Sequence, residues 1–221
     1  MFTLIGITGP SGSGKTTSLR NLDPKKTVIA SRIRKSLPFA HKEWKIKENF
    51  FELGNISQVA KFIKWVPSQK HIETVVFDDW QYLAAYELFD RLDDKSFDKW
   101  TDLAGLQANL MRLITESFRA DQIAVMINHD DIVEKGGVIR KVIKTQGRMV
   151  SEKFTPEGLM TIHVFSEVMF DDDQKRNYVF RVKPTAIDTI KVPMGLYPEE
   201  VETVPNDLNE LIKLYKSVMN N

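Results

Sequence analysis

The chain has 221 residues, and its 31 lysines and arginines against 30 aspartates and glutamates leave a net charge of +1. Such near-neutrality gives no global field to recruit nucleic acid, so any such contact has to come from a local patch. With no cysteine, disulfides and thiolate metal sites are excluded, and no run of about 18 apolar residues is present to make a membrane helix.

The apolar opening MFTLIGIT lacks the basic leader and small-residue cleavage site of a signal peptide. The expectation is a soluble, cytoplasmic protein without membrane partners. Its length suits one domain over residues 1–221.

In chain order, Phe2 to Thr8 is a continuous apolar run ending at a glycine, the pattern of a strand buried on both faces. A helix is predicted over Gly14 to Asn21, stopped near Asp23-Pro24 because the residue before proline resists helical dihedrals. Thr27 to Ala30 reads as a second strand, and residues 31–55 as irregular and basic. Ile56, Val59, Ala60, Ile63 and Val66 recur at helical spacing up to Pro67. Glu73 to Phe77 is a β-branched strand closing on Asp78-Asp79. Tyr82, Tyr86 and Phe89 mark one helix, and Leu103, Leu106, Leu110, Ile114 and Phe118 a longer one.

Ile123 to Ile127 is another buried strand, followed by a polar, basic segment over 128–153. Leu159 to Val168 and Asn177 to Val182 read as paired strands joined by a turn at Asp171-Asp172-Asp173. A last helix, opened by Asn206, carries Leu208, Leu211, Ile212, Tyr215 and Val218. The alternation of strand and helix over the first 130 residues predicts a parallel α/β sheet, and the strand-rich tail an antiparallel extension.

The chemistry concentrates at three strand ends. Gly9, Pro10, Ser11, Gly12, Ser13, Gly14, Lys15 and Thr16, followed by Thr17, fit G-x-x-x-x-G-K-[ST] at every fixed position. Glycines let successive backbone N–H groups converge on phosphate oxygens, helped by the following helix N-terminus. Lys15 supplies a mobile charge at the β- and γ-phosphates, and the Thr16 hydroxyl a ligand for Mg²⁺.

"TVVFDD" ends a buried strand in a carboxylate, so Asp78 is placed to hold Mg²⁺ through water and Asp79 to orient or deprotonate an attacking water. The competing reading is that both aspartates cap the next helix. In "AVMINHDD", Asn128 or His129 would sit beside the γ-phosphate if that strand lies between the other two. A plain strand-end cap is the alternative.

The phosphate loop, "VVFDDWQYL", "AVMINHDD", "KTQGRM" and "KVPMGLYPEE" together resemble a family of phage-type P-loop ATPases, relatives of RecA and RadA, some assigned to single-strand annealing or recombination. The resemblance implies an α/β, RecA-like P-loop NTPase fold, with a mainly parallel sheet flanked by helices and an antiparallel C-terminal extension. It implies ATP and Mg²⁺ as cofactors, single-stranded DNA as a partner and a homo-oligomer, in the host cytoplasm if phage-encoded.

In RecA relatives the loop after the sensor strand faces DNA, here about Asp130 to Gly147. Arg140, Lys141, Lys144, Arg148 and Lys153 are therefore candidates for DNA contact, or for reaching a neighbouring subunit's γ-phosphate. The basic stretch 25–47, with Phe39 and Trp44 interleaved, is a second candidate. Its rival reading is a solvated face with core aromatics. One departure stands out: relatives carry a catalytic glutamate after the second strand, whereas "ASRIRKSLPF" has no acid between Ser31 and Phe39. A small-molecule or nucleotide kinase, and a slow nucleotide-gated binding protein, remain alternatives to the ATPase.

Overall fold

The apolar runs set the sheet. In the computed structural model, which describes residues 2–33, 35–91, 93, 98–145 and 154–219, four of them form strands buried at every position. These are β1 (Thr3–Thr8), β2 (Thr27–Ser31), β4 (Thr74–Asp78) and β5 (Ile123–Asn128), with β3 (Phe50–Glu52) between β2 and β4 in the chain. Further along come β6 (Asp130–Lys135), β7 (Val138–Ile143), β8 (Ile162–Phe170), β9 (Arg176–Arg181) and β10 (Thr203–Pro205). Eight of these make one sheet in the order β10-β9-β8-β1-β5-β4-β2-β3, and β6 and β7 pair separately as a hairpin. From β8 to β3 every pairing is parallel, while β8–β9 and β9–β10 are antiparallel.

A strand buried on both faces needs cover on both, because successive side chains point to opposite sides. Leu4, Val75, Phe77, Ala124 and Met126 face a core shared with α1 (Ile56–Trp65), α2 (Gln81–Asp90) and α3 (Asp98–Ser117). Ile5, Ile7, Val76, Val125 and Ile127 face the other core, closed by Leu19, Leu22 and the C-terminal helix α4 (Leu208–Met219). The result is a mixed α/β layer structure with a mostly parallel central sheet. No helix among the described residues is long and apolar enough to cross a membrane.

Four expectations change. The helix predicted over Gly14 to Asn21 is a 3₁₀ helix confined to Thr16–Asn21, about two turns at three residues each, which end before Asp23-Pro24. The tail is only partly an antiparallel extension: β8 joins β1 in parallel, and β9 and β10 alone run as the extension. The polar segment after β5 begins as a hairpin turning at Gly136-Gly137, both with positive φ, a dipeptide suited to tight hairpin turns. Within residues 31–55, Phe50 opens strand β3, and Phe50, Trp44 and Leu37 are buried in the second core. Trp44 is therefore no stacking platform for a base.

Candidate functional site

Three of the parallel strands deliver their C-terminal ends to one place, the edge of an α/β sheet where ligands characteristically bind. The sheet order sets β5 between β1 and β4, the arrangement on which the reading of Asn128 and His129 depended. Thr8 pairs with Asn128 and Ser31 with Asp78 in the ladder, so the phosphate loop, the acidic strand end and the loop after β2 all leave the sheet side by side.

The loop itself is held in a curl. Gly12 and Gly14 take φ of +80° and +93°, values that side chains on L-residues rarely tolerate. The Gly9 N–H donates to Asn128 O at 3.3 Å and the Ser13 N–H to Pro10 O at 3.2 Å. Ser166, on β8, donates its hydroxyl to Ser13 O at 2.7 Å and accepts from the Asn206 amide at 2.9 Å. Arg20 donates to Asn206 O at 2.6 Å, and Asn21 to Asp207 at the head of α4. These ties anchor the loop and its 3₁₀ helix to distant parts of the chain. Sequence reading missed Ser166, since a serine within an apolar strand carries no signal of its own.

Gly14 also lies under the Tyr178 ring: a Cβ there would come within 2.8 Å of Tyr178 Cδ1, whereas a Cβ at Gly12 would meet nothing within 4 Å. Gly12→Ala is expected to cost about 1–2 kcal/mol of stability from conformation alone. Gly14→Ala adds the clash, so it should cost more. Chemical denaturation of both, and of Gly14→Ala with Tyr178→Ala, checks this: removing the ring should return part of the Gly14→Ala loss and none of the Gly12→Ala loss.

Lys15 is buried, its ammonium donating to Gly9 O at 2.7 Å and Pro10 O at 2.8 Å. Burial pulls its pKa down, against the attraction of Asp79, Asp130 and Asp78. Thr16 Oγ1 donates to the Asp78 carboxylate, 3.1 Å from either oxygen. Asp78 and Asp79 are 2 % and 4 % exposed. Burial, and then the neighbouring Asp79 carboxylate, push Asp78 up to about 7. The Asp78 carboxylate and the Thr16 hydroxyl it accepts from are hard-oxygen donors of the kind that Mg²⁺ takes alongside phosphate oxygens.

Asp79 Oδ2 lies 3.2 Å from the Lys35 ammonium. His129 Nε2 is 3.9 Å from the same oxygen, beyond hydrogen-bond reach. Burial first, then Lys15, lower the His129 pKa, which keeps the ring neutral at pH 7. Its backbone N–H donates to the Gln81 side chain. Ser11, Gly12, Gly14, Lys15, Thr16 and Thr17 line a pocket of about 300 Å³ together with Lys35, Ser36, Pro38, Asp79, His129 and Tyr178. Asn128 is turned away, its amide donating to Met126 O at 3.2 Å, so of the two residues at this strand end His129 alone faces the pocket.

The basic candidates separate. Arg140 and Lys144 are exposed. Lys141 is engaged within the protein, 3.4 Å from Glu167, 3.7 Å from Asp130 and 4.6 Å over the Phe165 ring. Arg148 and Lys153 lie outside the described residues. No protein-family model matches the chain, and no curated protein matches it significantly.

Proposed function

We propose that this protein is a Mg²⁺-dependent ATPase of RecA-like type, acting in the cytoplasm on single-stranded DNA during recombination, repair or replication. The observation that carries the nucleotide part is the Thr16–Asp78 contact. It joins the loop that cradles phosphates to a buried carboxylate 62 residues away, and these are the two protein ligands a nucleotide-bound Mg²⁺ requires. When bound, that ion neutralises the β- and γ-phosphate oxygens. The curled loop offers its N–H groups to the phosphates, Lys15 supplies charge at the γ end, and Asp79 positions the attacking water and accepts its proton. The doubled carboxylate favours hydrolysis over transfer to a substrate hydroxyl.

The DNA part rests on the resemblance and on the hairpin that follows β5, where Arg140 and Lys144 are exposed. A slow nucleotide-gated binding protein is the second reading, favoured by the Lys35–Asp79 pair, which holds the water-positioning carboxylate in an ion pair.

ATP turnover with and without single-stranded DNA, at low and moderate salt, tests the proposal. DNA should raise turnover, and salt should weaken the stimulation, because a higher bulk salt concentration lowers the gain from releasing counterions from the DNA. Flat turnover at all DNA concentrations removes the DNA part. Tight ATP binding without turnover selects the gated binder.

A further inference from the structure

The loop after β2 lacks the expected acid but delivers a cation to the site. Ser31 pairs with Asp78 across the β2–β4 ladder, so the chain leaves β2 directly beside the carboxylates. The Ser31 hydroxyl donates to Ile33 O at 3.0 Å and accepts the Ile33 N–H at 3.2 Å, and the Lys35 N–H donates to Ile33 O at 3.0 Å. Two residues on, Leu37 is buried in the core. Lys35 is thus tied through its N–H to Ile33 and followed by a core residue, and its side chain, 42 % exposed, reaches into the pocket that Lys15 and Thr16 also line.

We infer that Lys35 is a second phosphate-binding cation of this site, contacting the γ-phosphate of a nucleoside triphosphate; the inference rests on the nucleotide reading above. Charge balance favours it. With Asp78 ionised by a bound Mg²⁺, Lys15 against Asp78 and Asp79 would leave the cradle one negative charge in excess, facing a Mg²⁺–ATP complex that is itself doubly negative. Among the described residues lining the pocket, Lys35 is the further lysine or arginine that removes that excess. Position decides which phosphate it meets. Thr16 and Asp78 would hold the metal, and Lys35 lies 3.2 Å from Asp79, the carboxylate assigned to the attacking water, so on that reading Lys35 would meet the γ-phosphate. A diphosphate would end short of it.

The test is calorimetric binding of ATP and ADP, each with Mg²⁺, to the wild type, Lys35→Met and Lys35→Arg. The wild type should prefer ATP. Lys35→Met should lose about tenfold or more in ATP affinity, the scale of one charge-assisted hydrogen bond, with ADP affinity within about twofold of the wild type. Lys35→Arg should keep most of the preference. An unchanged ATP/ADP ratio in Lys35→Met, or a wild type with no preference, overturns the inference and leaves Lys35 as the ion-pair partner of Asp79. A wild type that binds neither nucleotide overturns the nucleotide reading itself, and is recognised without any variant.

Discussion

Lys15→Ala is expected to lower ATP turnover by at least about a hundredfold, the scale seen when a donor aimed at developing charge is removed from an enclosed site. Turnover within tenfold of the wild type would mean that the phosphate charge is met elsewhere. The fold should survive the change. Lys15 donates to the Gly9 and Pro10 carbonyls, and losing those bonds costs stability, but the variant also no longer buries an ammonium.

Because burial dominates the lowering of its pKa, the charged lysine is a liability to the folded state at neutral pH. The two effects oppose, and melting at pH 7 should differ from the wild type by no more than about 1 kcal/mol. The sign of the pH dependence is fixed. Between the lowered folded pKa and the unfolded value of 10.5, the unfolded chain binds more protons, so the wild type gains stability relative to the variant as pH rises through that window. Nucleotide titration at pH 7 and melting at pH 7 and 10 separate the functional loss from the structural one.

Much of this site was legible because each part announces itself locally. A phosphate loop must combine glycines, a lysine and a hydroxyl at fixed spacing, and an acidic residue at the end of an apolar strand marks the sheet edge. β1, β4 and β5 were readable from their runs of β-branched residues, and Asp78 and Asp79 followed from where β4 stops.

Residues whose position depends on the far side of the fold were not legible. Lys35 sits in a run of charges, and nothing local distinguishes a lysine turned back over Asp79 from one in solvent. Trp44 and Phe50 looked like part of an irregular basic stretch because β3 is only three residues long. The brace from Ser166 and Asn206 joins residues 153 apart or more to the phosphate loop, a separation that no periodicity spans. The β6–β7 hairpin was the readable miss: Gly136-Gly137 between two β-branched stretches is a hairpin signal.

Asp78→Asn is expected to stabilise the metal-free protein above pH 7 while removing its ability to hold Mg²⁺–nucleotide. Asparagine keeps the shape and an acceptor for Thr16 Oγ1, but not the charge. An aspartate pushed up to about 7 from 3.8 is one whose ionised form the fold disfavours. Between these values the folded protein binds more protons than the unfolded chain, so this group's contribution to stability is present below the unfolded pKa. It is lost progressively as pH rises through about 7.

The variant should therefore match the wild type near pH 4 and exceed it at pH 8, by about 1–3 kcal/mol. For a chain of this size that is roughly 2–4 °C in melting temperature per kcal/mol. Mg²⁺ reverses the ranking, because a bound cation stabilises the carboxylate that the empty fold tolerates poorly. With Mg²⁺ and ATP the wild type should gain stability by mass action and the variant very little. Melting curves at pH 4, 6 and 8, with and without Mg²⁺–ATP, test both halves together. A variant less stable than the wild type at pH 8 without metal would show that Asp78 is held by its partners rather than strained by them. A variant that gains as much from Mg²⁺–ATP as the wild type would remove Asp78 from the metal site.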